Sequence, residues 1–183
     1  MAKQTSLFML NISLLKQGID ILNEITDEQY VNKNKKYYKA GVGKHIRHVL
    51  DHYNSLLEGW NDKIDYDSRE RNTAVETDRH EAIRKIEILI DRFNQFKKEK
   101  IPINTEVLVK SNAVNEESES PWSSSTVKRE LQFLVSHTVH HYALVAFILR
   151  SQKVDVPKEF GVAPSTLKYR ENHKPIYGSD HKS

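Results

Sequence analysis

An all-α protein built as a four-helix bundle is the fold this sequence predicts, and three observations lead there. Apolar residues recur at helical spacing in four long segments. The composition, 38% apolar and 29% charged over 183 residues, suits helices with well-solvated outer faces better than a large sheet. Only one short run, Thr105–Val109, has the alternating, β-branched character of a strand.

The elements follow in chain order. Leu7, Leu10, Leu14, Ile21 and Leu22 share one side of a first helix from about Ser6 to Glu24. Thr26-Asp-Glu-Gln29 reads as a capping box that opens a short helical turn. A lysine-rich loop containing Tyr37, Tyr38, Gly41 and Gly43 leads into a second helix, Gly43 to Asp62. Residues 65–77 are polar and dense in charge, which predicts a connection. A third helix begins at Thr77-Asp-Arg-His-Glu, buries Ile83, Ile86, Ile90 and Phe93, and is ended by Pro102. Ile103–Lys110 supplies one arm of a small hairpin. A fourth helix, capped by Ser124 or Ser125, runs to about Arg150. Beyond it Pro157, Gly161, Pro164 and Pro175 predict an irregular surface tail. The expected organisation is one domain over 1–183, with its core over 6–150, a long crossover connection and a tail over 151–183.

Composition narrows the chemistry. Net charge is +3 with opposite signs interspersed, so no basic block recommends nucleic acid or an anionic membrane. The apolar stretch Leu7–Leu10 is too short for a signal-peptide core or a span, which makes the cytoplasm the expected location. Cysteine is absent, removing disulfides, thiolate metal sites and cysteine nucleophiles together. A metal site here must be made of His, Asp and Glu.

Six of the nine histidines fall in two clusters, His45/His48/His52 and His137/His140/His141. At about 100° per residue, His137 and His141 lie one turn apart within the stripe formed by Phe133, Leu134, Leu144 and Ile148. Two imidazoles at i and i+4 can reach one ion, and an ion satisfies two inward rings that would each otherwise need polar partners. The alternative is a metal-free polar core of hydrogen-bonded histidines. In the first cluster, the apolar centre (Val49, Tyr53, Leu56, Trp60) points about 130° from His48, while His52 lies nearer the apolar boundary. Periodicity therefore nominates His52 or leaves the third ligand open, although three protein ligands plus water is the usual reactive arrangement.

The segment Gly43-Lys-His-Ile-Arg-His-Val-Leu-Asp-His-Tyr, followed about ninety residues later by His137-Thr-Val-His-His-Tyr-Ala, resembles the DinB/YfiT-like superfamily of four-helix bundles. That family carries one histidine in its second helix and an HxxxH pair in its last long helix, and the likeness covers roughly Ser6 to Arg150. The resemblance implies metal ligation by His48, His137 and His141, with zinc or nickel as the ion and a low-molecular-weight thiol as a co-reactant. It implies an enzyme that transfers a thiol or water to a small electrophilic substrate, as a transferase or hydrolase. The alternative is a non-catalytic metal-binding stress or interaction protein. A homodimer is compatible with either.

Several side chains near the ligands have readings of their own. Asp51 and His52 are placed to orient ligands from behind. Glu130, two turns before His137, is expected at the exposed start of its helix rather than as a buried acid. Tyr66-Asp-Ser-Arg69-Glu-Arg71 is expected to be a solvated charged loop rather than a grip on a carboxylate. His80, His173 and His181 are expected to be exposed.

Overall fold

The computed structural model describes residues 6–33, 39–68, 73–110 and 121–173, and within them the chain is mostly helical with one small sheet. The helices are α1 (Leu7–Asn23), α2 (Asp27–Val31), α3 (Val42–Gly59), α4 (Thr73–Thr77), α5 (Arg79–Lys98), α6 (Val127–Ser151) and α7 (Pro164–Asn172). The strands are β1 (Lys63–Asp65), β2 (Glu106–Lys110) and β3 (Trp122–Thr126), in the order β1-β2-β3.

Local chemistry sets the helix ends. Ser6 accepts from the Met9 amide to start α1, and the capping box is complete, with Thr26 and Gln29 each bonding the other's backbone amide. Asp78 takes the amides of His80 and Glu81 to begin α5. That helix closes where Lys100 adopts a left-handed φ of 55° and Ile101 N–H returns to the Phe96 carbonyl, just before Pro102.

The four long helices pack as two pairs of neighbours: α1 lies against α5 and α6, and α3 lies against the same two. One continuous core lies among them, with Leu15, Leu22, Ile46, Leu56, Leu89 and Leu131 fully buried. By length and composition α6 could cross a membrane; here its apolar stripe packs on α1 and α3.

The structure departs from the sequence reading in its connections and in its tail. Residues 65–77 are not a plain connection: β1 lays Lys63–Asp65 parallel to Leu108–Lys110 and buries Ile64, and α4 follows. The start of α6 shifts to Thr126, whose side chain accepts from Arg129 N–H. Ser124 and Ser125, read as caps, instead pair with Leu108 and Val107 in the antiparallel β2–β3 ladder, because a ladder satisfies backbone groups that a cap alone would leave open. The expected surface tail is partly core: Val156 and Phe160 are buried, Phe160 stacks on Tyr142 at 4.7 Å, and Gly161 uses φ +73° to lie against the Ala143 backbone. Pro164, read as a breaker, occupies the first turn of α7, where its missing N–H costs nothing. Tyr37, Tyr38 and Pro175 lie outside the described residues.

Gly43 sits in the first turn of α3 with the α4 backbone directly above. A Cβ there would meet Glu76 O at 2.0 Å and Tyr30 Cε1 at 2.9 Å, backbone and ring that cannot swing aside. Gly43→Ala should therefore lower unfolding free energy by about 2 kcal/mol in urea melts, as forced overpacking does. An unchanged midpoint would show that α4 yields freely.

Candidate metal centre

Helices α3 and α6 turn their histidine rows toward each other. On α3, His45, His48 and His52 follow at three and four residues, one side of a helix; on α6, His137 and His141 are one turn apart. Ring centroids lie 4.5 Å apart for His48–His52, 4.2 Å for His52–His137 and 5.0 Å for His48–His137. The His141 ring is 4.6 Å from both His48 and His137. One ligating nitrogen from each of His48, His52 and His137 lies within 4.8 Å of the other two. Nitrogens bound tetrahedrally to one zinc-sized ion stand roughly 3.3 Å apart, given metal–nitrogen bonds of about 2.0–2.1 Å. Small rotations close that gap, so an all-imidazole donor set fits a borderline-soft divalent ion.

Hydrogen bonds decide which nitrogen each ring offers. His52 Nδ1–H donates to the His48 carbonyl at 2.8 Å; a carbonyl only accepts, so the lone pair of neutral His52 is on Nε2. His45 Nδ1 and His141 Nδ1 lie 3.0 Å apart, and one must donate to the other. The donor ring keeps a lone pair on Nε2 and the acceptor ring carries its proton there. While both are neutral, only one of the pair can offer Nε2 to a cation.

The structure thus brings together all three residues singled out by the motif, His48, His137 and His141. It adds His52, which is buried at 6% exposure, and His45. The α6 stripe is rotated from the sequence reading. Its buried line is Leu131, Leu134, Thr138, Tyr142 and Val145, while Leu144 is exposed and Phe133 half-buried. His137 and His141 each precede a buried residue by one position and so flank the stripe, facing α3. His140, His80 and His173 are exposed, and His181, Arg69 and Arg71 lie outside the described residues.

One expectation about a supporting residue is corrected, and another gains a partner. Asp51 takes the Arg47 guanidinium at 2.7 Å, and the same guanidinium reaches Glu76 at 3.3 Å, tying α3 to α4. Glu130 is not at an exposed helix start; it is 1% exposed, accepting from Tyr66 Oη–H at 3.0 Å, Ser125 Oγ–H at 2.5 Å and Arg129 at 3.2 Å. Tyr66, read as loop, is buried because it continues the in–out alternation begun by Ile64. Its ring stacks on His52 at 5.1 Å and 19°, and burial, then the Glu130 charge, hold its phenol well above the usual range.

The class this defines is a mostly helical protein with a histidine cluster between two long helices. The chain is 29% identical over 163 residues to FK506-binding protein 5 of Rhizopus delemar, an alignment that takes in 86% of this chain and 36% of that protein. The chain therefore spans about a third of the length of the curated relative it matches. No protein-family model matches the chain, and no solved structure matches it significantly.

The relative overturns the functional expectation drawn from the motif. Its name states binding of FK506 and says nothing of thiol transfer or hydrolysis. The DinB/YfiT-type metal-dependent transferase or hydrolase, with a stress or interaction protein as its alternative, is replaced by a likeness to a ligand-binding protein. The histidine geometry stands apart from that assignment.

Burial first, then His137, His45 and His140, lowers the His141 pKa to about 3; His45 is lowered by burial, His140 and Lys44. Between about 3 and the ordinary 6.5, unfolded His141 binds a proton that the folded ring refuses. Stability of the metal-free protein should thus be full above that window and fall as pH drops through it. Urea midpoints from pH 7 to pH 4 should decline more steeply for the wild type than for His141→Asn; parallel curves would exclude a neutral, buried His141.

Proposed function

We propose that this chain is a helical ligand-binding domain, akin to part of a longer FK506-binding protein, whose histidine cluster holds one divalent transition-metal ion. The observation that carries the metal reading is the close approach of His48, His52 and His137, with His52 already fixed in the Nε2 lone-pair form. His141 stands beside them as the nearest further donor. Zinc and nickel suit neutral imidazole equally well, and binding either one requires the rings to be unprotonated. A bound ion would supply Lewis-acid polarisation of whatever occupies its remaining position. The chain's own part is to hold the rings in place and keep their tautomers.

The same reading takes α1, α3, α5 and α6 as a four-helix bundle with long crossovers, which their pattern of neighbours supports.

Native protein, dialysed and analysed for elements, should carry about one equivalent of Zn or Ni. His137→Ala should weaken binding by more than about 100-fold, beyond the roughly 10–100-fold that loss of an outer partner costs. A metal-free protein that neither takes up added ion nor gains thermal stability from it would end the metal reading.

A second reading is favoured by the relative's name, namely that this part of the chain contributes to binding FK506. Titrating FK506 while following the fluorescence of Trp60 and Trp122 tests it. Saturable change at micromolar ligand supports a contribution, and a flat trace assigns that binding to the part of the relative this chain does not span.

A further inference from the structure

Glu130 and Tyr66 are buried polar groups that neither the motif nor the cluster of nitrogens accounts for. A carboxylate at 1% exposure is costly unless its oxygens are filled, and here they are. Oε1 takes Ser125 and Arg129, and Oε2 takes the Tyr66 hydroxyl. The three donors come from the end of β3, the first turn of α6 and the residue after β1. Glu130 thereby pins Tyr66 at a point where three elements meet.

Tyr66 in turn forms one wall of the histidine cluster. Its ring lies nearly parallel to His52, and Phe133 closes the same side, 5.3 Å from Tyr66 and 5.3 Å from His137. His52 is held from its backbone side by the His48 carbonyl. With one edge of the ring fixed by that bond and one face fixed by Tyr66, rotation about the His52 side chain is suppressed.

We propose that Glu130 and Tyr66 are positioning residues for the histidine centre. The carboxylate fixes the Tyr66 ring, and that ring sets the plane in which His52 presents Nε2. This rests on the metal reading above, and it predicts a division of effects that packing alone would not produce. Arg129, which balances the buried charge, is itself mostly exposed, lies over the Phe133 ring at 5.4 Å and also lines a cavity of about 680 Å³ with Ser125, Asn61 and Asp62.

The test uses Co²⁺ as the probe with the full chain, following its visible absorption and affinity in the wild type, Tyr66→Phe, Glu130→Gln and His137→Ala. Tyr66→Phe keeps the stacked ring and removes only its bond to Glu130. Both supporting variants should bind Co²⁺ about 10-fold more weakly, with bands shifted or broadened by a less defined His52, while still taking one equivalent. Thermal melts of the metal-free forms separate this from a purely structural role, which would lower the melting temperature and leave the Co²⁺ spectrum of the folded protein unchanged. Wild-type spectrum and affinity in both variants would overturn the positioning role while leaving the metal centre intact. No Co²⁺ binding by the wild type would instead overturn the metal reading itself. If Glu130→Gln fails to fold, Tyr66→Phe alone decides.

Discussion

Asn11, buried in the second turn of α1, has an amide that must find partners inside the core, and the way it finds them sets the rotation of three helices. Its Nδ2 donates to the carbonyls of Leu7 and Leu131, and its Oδ1 accepts from Tyr53 Oη–H, which is also the acceptor for Thr138 Oγ1–H. Asn11, Tyr53, Leu131 and Thr138 are all withdrawn from water, so losing a bond among them leaves a polar atom stranded. The network fixes α1, α3 and α6 about their own axes. A greasy stripe alone would tolerate a turn of tens of degrees.

The histidine cluster is a consequence of that lock. Tyr53 follows His52 and Thr138 follows His137. Driving Tyr53 and Thr138 into the core at their contact point swings the preceding residues onto the adjoining rim, where α3 and α6 face each other. Tyr142 repeats the device one turn on: its hydroxyl reaches the Leu14 carbonyl, and His141 precedes it. Polar core residues thus aim the imidazoles. The small sheet adds the outer wall, because pairing β1 with β2, a strand distant in sequence, holds Tyr66 against the His52 ring.

Much of this was legible in the sequence, to different depths. The helix starts at Ser6, Thr26 and Asp78 follow from side chains that satisfy local amides, so they need no knowledge of the rest of the chain. The hairpin arm at residues 105–110 was legible, but not its partners: Ser123-Ser-Ser125 has cap chemistry and becomes strand only because β2 lies alongside. Hydrophobicity placed the α6 stripe about one position off, since it counted Phe133 and Leu144 as inward and could not know that Thr138 and Tyr142 have buried acceptors waiting. The same blindness hid Glu130, whose burial depends on Tyr66, Ser125 and Arg129 arriving together.

The sequence by itself determined that there would be long amphipathic helices, that two of them would carry histidines at one-turn spacing, and that no cysteine of the chain could share a site with them. These are properties of composition and of a 3.6-residue period. Tertiary structure decided which imidazoles meet, that His52 brings a nitrogen within 4.8 Å of those of His48 and His137, and that His141, beside the same rings, pairs its Nδ1 with that of His45. It also decided that a carboxylate and a tyrosine would stand behind the cluster. Those outcomes turn on the relative rotation of two helices and the register of a short sheet, and both are set by hydrogen bonds between residues up to about 130 positions apart.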